Sequence, residues 1–112
     1  MAKSNFIIEQ FKKYKVFLYS GGGAALSRAV IHIMLPSGKA IFRFKDGRLK
    51  KNSFTKAGKS TLYEVYVSAD RYPHFIDLLR NEKPLYFFYE FNEHIGYITT
   101  SDEPVGEGEK EI

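Results

Sequence analysis

Residues Leu85-Tyr86-Phe87-Phe88-Tyr89 form the longest uninterrupted apolar run in the chain. Read as a strand, the run places Leu85, Phe87 and Tyr89 on one face and Tyr86 and Phe88 on the other. A bare strand with large side chains on both faces is an aggregation hazard, so both faces have to be covered. One cover lies close in sequence. Tyr72, Phe75, Ile76 and Leu79 recur at i, i+3, i+4 and i+7, the stripe of an amphipathic helix. The second cover has to come from another layer, from the N-terminal segment or from a second copy of the chain, which makes homodimerisation one way to complete the fold.

The rest of the chain reads mainly as strands. Val16 to Tyr19 is one, broken by Ser20-Gly21-Gly22-Gly23. Ala29 to Leu35 and Ala40 to Lys45 flank Pro36-Ser37-Gly38-Lys39 and read as a hairpin. In its second strand, Phe42 and Phe44 share one face, and Ile41, Arg43 and Lys45 the other. A polar segment is expected from Asp46 to about Ser60, followed by a strand from Leu62 to Val67. The helix that follows has Ser68 or Asp70 as candidate N-cap, Pro73 in its first turn, and Asn81 and Pro84 at its end. Leu85 to Phe91 and His94 to Thr100 form a terminal hairpin about Asn92-Glu93. Ser4 to Tyr14 fits either a short helix capped by Ser4 or an extended run into the next strand. The expected class is α+β: a mostly antiparallel sheet in the order strand-strand-strand-strand-helix, followed by a C-terminal β-hairpin. The 112 residues fit a single domain over 1–100, with the acidic, glycine-containing stretch 101–112 read as a disordered tail.

Several functional classes find no signature. The chain has no cysteine, so disulfides, thiolate metal sites and cysteine nucleophiles are excluded. No apolar run approaches the ~20 residues of a membrane helix, and the N-terminus lacks the apolar core of a secretory signal. A cytoplasmic or nucleoid-associated location is the corresponding expectation. The glycine triplet lacks the Gly-Lys-Ser/Thr of a phosphate-cradling loop, and Leu26 stands where a dinucleotide fingerprint needs its third glycine. His74 and Asp77 share a helix face but supply two metal ligands where three or four are needed. Asp70, Asp77, Glu90 and Glu93 show no spacing that pairs two carboxylates on one element for acid–base work. The expectation is a non-enzymatic protein without metal or cofactor.

Charge gives the positive signal. Residues 1–61 carry a net charge of +11 and residues 62–112 one of −7. Within 43–59, Arg43, Lys45, Arg48, Lys50, Lys51, Lys56 and Lys59 are opposed only by Asp46. Phe42, Phe44 and Phe54 interleave with them, and Tyr63 and Tyr66 follow on the next strand. Cations neutralise phosphates and release counterions, while flat rings stack on unpaired bases. The expected function is therefore binding of single-stranded DNA or RNA, with phosphate contacts from the basic loop and base stacking on strand aromatics. A second reading uses the same lysines, or a sheet edge, to dock an acidic protein partner. A third treats 43–59 as a plain solvated loop and the phenylalanines as core.

The order strand, strand, strand, basic loop, strand, helix resembles the single-stranded-DNA-binding transcriptional coactivator family and the related whirly and Pur-alpha-like proteins. The resemblance covers about residues 39–81. Lys39-Ala40-Ile41-Phe42-Arg43-Phe44 looks like that family's strand after a Gly-Lys turn. Lys56-Ala57-Gly58-Lys59 looks like its glycine-and-lysine loop, and Val65 to Phe75 is similar to its strand-to-helix step. The resemblance implies phosphate contacts at Arg43, Lys56 and Lys59, and stacking at Phe42 and Phe44 provided their face is open. The terminal hairpin and the acidic tail depart from the family's minimal module.

Overall fold

Alternation of apolar and polar residues organises most of the chain, and the computed structural model, which describes residues 5–19 and 28–101, resolves that alternation into eight strands and one α-helix. They are β1 (Phe6–Phe11), β2 (Tyr14–Leu18), β3 (Ala29–Leu35), β4 (Gly38–Lys45), β5 (Ser53–Ala57), β6 (Ser60–Ser68), α1 (Tyr72–Asn81), β7 (Leu85–Glu90) and β8 (Ile95–Thr99). The class is α+β, as the alternation predicts. The glycine triplet, the Ser4 cap and the acidic stretch 102–112 lie outside the described residues. Among the described residues, no helix is long and apolar enough to cross a membrane.

Two sheets form. One has the order β2-β3-β4-β6-β5, the other β1-β7-β8. Every pairing is antiparallel except β4 with β6. The inward residues of the larger sheet include Ile31 and Ile33 of β3, Ala40, Phe42 and Phe44 of β4, and Tyr63 and Val65 of β6, all buried. Helix α1 covers part of this face. Phe75 lies 4.7 Å from Phe42 and 5.2 Å from Phe44 between ring centroids, and Tyr72 meets Phe44 edge-on at 5.3 Å. The small sheet covers another part through Phe87 and Tyr89, which pack on Tyr63 at 5.1 and 5.2 Å. Aromatic rings at such separations add about 0.5–1.5 kcal/mol per pair beyond their buried area.

The covering of the 85–89 run follows from the same arrangement. As the centre of three strands, β7 directs Leu85, Phe87 and Tyr89 into the core. Its other face is covered from within the chain: Phe88 stacks on Tyr97 at 4.5 Å and meets Phe6 at 5.3 Å. The N-terminal segment is extended, not helical, and β1 supplies the neighbour that β7 requires. This strand therefore calls for no second copy.

Two local readings are corrected, and the placement of β6 adds a parallel pair. The polar segment 46–60 contains a strand, β5, whose Ser53, Thr55 and Lys56 are exposed at the sheet edge. Alternation is hard to see in an edge strand with only one half-buried ring, Phe54. The helix begins after a 3₁₀ turn, Ala69–Arg71, and Ser68 caps nothing with its side chain; its hydroxyl donates to Asp70 at 2.6 Å. Finally, β6 lies parallel to β4, inserted between β4 and β5. The connection 46–52 crosses over the end of β6 and is braced there by Asn52, whose amide donates to the His94 carbonyl at 2.9 Å and accepts from the Tyr66 N–H at 2.8 Å. At the other end of the pair the backbones come so close that a Cβ on Gly38 would lie 2.0 Å from the Thr61 carbonyl oxygen; its φ of +151° also disfavours side chains.

Candidate nucleic-acid interface

The register places each expected site residue. Phe42 and Phe44 are buried at 1% and 0% exposure. Their face is closed by α1 and the small sheet, so neither ring is open to a base. Phe54 is half-buried and faces inward, edge-on to Tyr89 and Phe91 and stacked on His94. Phe42 and Phe54 thus meet rings of the small sheet, and Phe44 meets those of the helix.

The basic residues of 43–59 do not form one cluster. Lys45 ends β4 beside Ser68, and Arg48, Lys50 and Lys51 are exposed in the connection at that end. Lys56 pairs with Thr61 and Lys59 lies in the β5–β6 turn, at the opposite end of β6. Seven residues separate Thr61 from Ser68 along the strand, about 23 Å at the usual rise. Continuity in sequence becomes separation in space because β5 and β6 fold back as a hairpin.

A different grouping appears on the outward face of the same sheet, where Val30 and Ile41 are buried and the residues around them are half-buried or exposed. Its central row runs Lys15, His32, Ile41, Glu64, Ser53 across the five strands. The next row runs Phe17, Val30, Arg43, Tyr66, with Lys45 beyond it. On the other side of the central row lie Met34, Lys39, Leu62 and Thr55. Four cations from two strands, β2 and β4, thus share one face with the rings of Phe17, His32 and Tyr66. Three strand spacings, about 14 Å, separate Phe17 from Tyr66, with Arg43 adjacent to Tyr66.

Electrostatics on this face favour anions. Among the described residues Glu64 is its one carboxylate, and it accepts from the Arg43 guanidinium at 3.2 Å. Arg28 and Asp46 pair at 2.6 Å at the rim. These are the ion pairs among the described residues, so Lys15, Lys39 and Lys45 keep their charges uncompensated by a direct carboxylate. His32 senses the resulting field. Its pKa is held below the usual 6.5, first by burial and then by Lys39, Arg43 and Lys15. Phe17 leans on it at 4.9 Å between centroids. Beside Lys39, a shallow hollow of about 490 Å³ is lined by Ile41, Thr55 and Leu62 among others.

Lys15, Phe17, His32 and Lys39 were missed as site residues by sequence reasoning, because they come from three strands far apart in the chain. One signal was available: the alternation in β4 sets Arg43 and Lys45 opposite Phe42 and Phe44, and the β3–β4 hairpin register extends that division to His32 and Lys39. No family model, curated protein or solved structure matches the chain significantly.

Proposed function

We propose that the chain binds single-stranded nucleic acid on the outward face of its five-stranded sheet. One observation carries the reading: the outward face presents Lys15, Lys39, Arg43 and Lys45 around His32, with Glu64 as the one opposing carboxylate among the described residues and the rings of Phe17 and Tyr66 in the same field. Lysine and arginine neutralise phosphates with little regard to sequence, and exposed rings accept unpaired bases. Such contacts read no base edges, so binding is nonspecific in sequence. This reading moves stacking from Phe42, Phe44 and Phe54 to Phe17 and Tyr66. It keeps Arg43 and Lys45 as phosphate contacts and makes Arg48, Lys50 and Lys51 an extension of the face at one end, with Lys56 and Lys59 near the other. It retains the expectation of a non-enzymatic protein.

The test is a fluorescence-polarisation titration of a labelled single strand at two salt concentrations, with a matched duplex alongside. Expected are preference for the single strand, a steep loss of affinity with salt, and weaker binding by Tyr66→Ala, by about 1–3 kcal/mol if a base stacks there. Absence of binding at low salt overturns the reading and leaves the face as a candidate for docking an acidic protein.

A further inference from the structure

We propose that two copies of the chain associate edge to edge through β2, in an antiparallel pairing centred on Phe17. The large sheet has two edges with different chemistry. β5 exposes Ser53, Thr55 and Lys56, the polar and lysine-bearing kind of edge that resists strand addition. β2 and the residue after it expose Val16 at 38%, Phe17 at 40%, Leu18 at 69% and Tyr19 at 52%. Proline and glycine are absent from this stretch. An extended apolar edge of this kind is a template for another strand.

The backbone directs what can add. The Tyr19 N–H donates to the Arg28 carbonyl at 3.1 Å, and the Met34 N–H donates to the Lys13 carbonyl at 3.1 Å. Odd-numbered residues of this stretch therefore turn their main-chain groups toward β3. The alternation of an antiparallel ladder turns those of Val16 and Leu18 away from it, toward the open edge. A ligand for this edge must be an extended strand, and a second β2 is self-complementary about a two-fold axis. Charge and side chains choose the register. Centring on Lys15 would set two lysines directly opposite, which is unfavourable. Centring on Phe17 sets Val16 opposite the partner's Leu18, where both can exchange main-chain hydrogen bonds. It also sets Lys15 opposite the partner's Tyr19, a cation facing a ring, and Phe17 opposite its own copy. The pairing joins the outward faces of two sheets into one surface, but it stands or falls independently of nucleic-acid binding.

The absence of cysteine makes a direct test possible. In the proposed register, residue 17 faces itself in a non-hydrogen-bonded pair with a Cα separation of about 4.5 Å, within reach of a disulfide. Under mild oxidation Phe17→Cys is expected to form a covalent dimer at least about tenfold faster than Ala57→Cys on the other edge, a margin of ~1.4 kcal/mol in activation free energy. In sedimentation equilibrium, the unmodified chain is expected to rise from the 12.9 kDa of one chain toward twice that mass with concentration. Val16→Pro removes an outward N–H that the fold does not use, and Leu18→Lys adds a charge to the edge; both are expected to remain monomeric with unchanged circular dichroism. A one-chain mass up to several hundred micromolar overturns the proposal. So does a dimer that persists in both variants, or equal crosslinking at positions 17 and 57. If either variant unfolds, the crosslinking comparison decides alone.

Discussion

Phe42 and Arg43 are adjacent in β4 and opposite in environment. Phe42 sits at 1% exposure between Phe75 of the helix and Phe87 of the small sheet. Arg43 lies half-buried on the opposite face of the sheet and is held by Glu64 alone among the described residues. The same division runs across the whole sheet. One face is filled with rings that meet other rings, and the other carries cations whose charges add. The chain is rich in both aromatic and basic residues, a combination that reads as a stacking surface when taken together. The structure separates them by the two-residue period of a strand, so the rings most abundant beside the lysines serve cohesion while different rings share the charged face. Composition alone therefore does not locate a binding surface; the parity of each position does.

Phe42 anchors the buried face. Phe42→Ala removes a ring packed against two others in the core and is expected to destabilise the fold by about 3–5 kcal/mol. Any loss of oligonucleotide binding should then track the fraction unfolded in denaturant titrations. If the variant stays fully folded and still loses affinity, the inner face is a binding surface after all. Gly38→Ala tests how β4 and β6 are joined. The added methyl would fall 2.0 Å from the Thr61 carbonyl oxygen, in backbone that cannot retreat without loosening the parallel pair. A loss of about 1–3 kcal/mol is expected from overpacking, read as a lower denaturation midpoint at unchanged m-value.

Part of this division was legible in the sequence. Alternation in β4 separated Phe42 and Phe44 from Arg43 and Lys45, the 3.6-residue period gave α1, and the apolar run at 85–89 demanded cover on both sides. The large sheet covers one side through Phe42 and Tyr63, and Phe6 of the N-terminal segment with Tyr97 covers Phe88 on the other, while the helix stripe packs on β4 instead. What escaped has a physical origin in each case. β5 is an edge strand with mostly polar side chains, so burial leaves little imprint on it. The parallel insertion of β6 between β4 and β5 depends on Asn52 and Gly38, single residues whose roles appear only when distant backbone comes near them. The charged face draws Lys15, His32, Lys39 and Arg43 from three strands, and a pairing order, unlike a motif, has no local spacing.

The outward face can be sharpened by charge. Lys39→Ala is expected to weaken single-strand binding at every sequence and to reduce the magnitude of the salt slope by about one. Glu64→Gln is expected to do the opposite for affinity, because it removes the carboxylate that holds Arg43 and opposes phosphate. The pair is half-exposed, so its own contribution to stability is small, in the range of about 0–1 kcal/mol for surface ion pairs. The measurement is affinity against salt for both variants, with urea denaturation as the control for folding. Equal affinities for Lys39→Ala, Glu64→Gln and the unmodified chain would separate the cationic face from nucleic-acid binding.

The smallest expected effect belongs to His32. Burial and the neighbouring Lys39, Arg43 and Lys15 hold its pKa below 6.5 in the folded chain. The unfolded chain, with an ordinary histidine pKa near 6.5, then binds a proton more readily than the folded one. The stability that neutral His32 contributes is thus complete above pH 6.5 and is lost as the pH falls through the lower folded-state pKa. His32→Gln should flatten this part of the stability profile. A bound polyanion reverses the local sign, since phosphates beside the ring favour the imidazolium and offset the repulsion of the three cations. Single-strand binding should accordingly take up a proton and tighten as the pH drops below 6.5. Titrations at pH 7.5 and 5.5 for the unmodified chain and His32→Gln measure both effects. Parallel binding curves for the two proteins would place the bound strand away from His32, and so away from the centre of the cationic face.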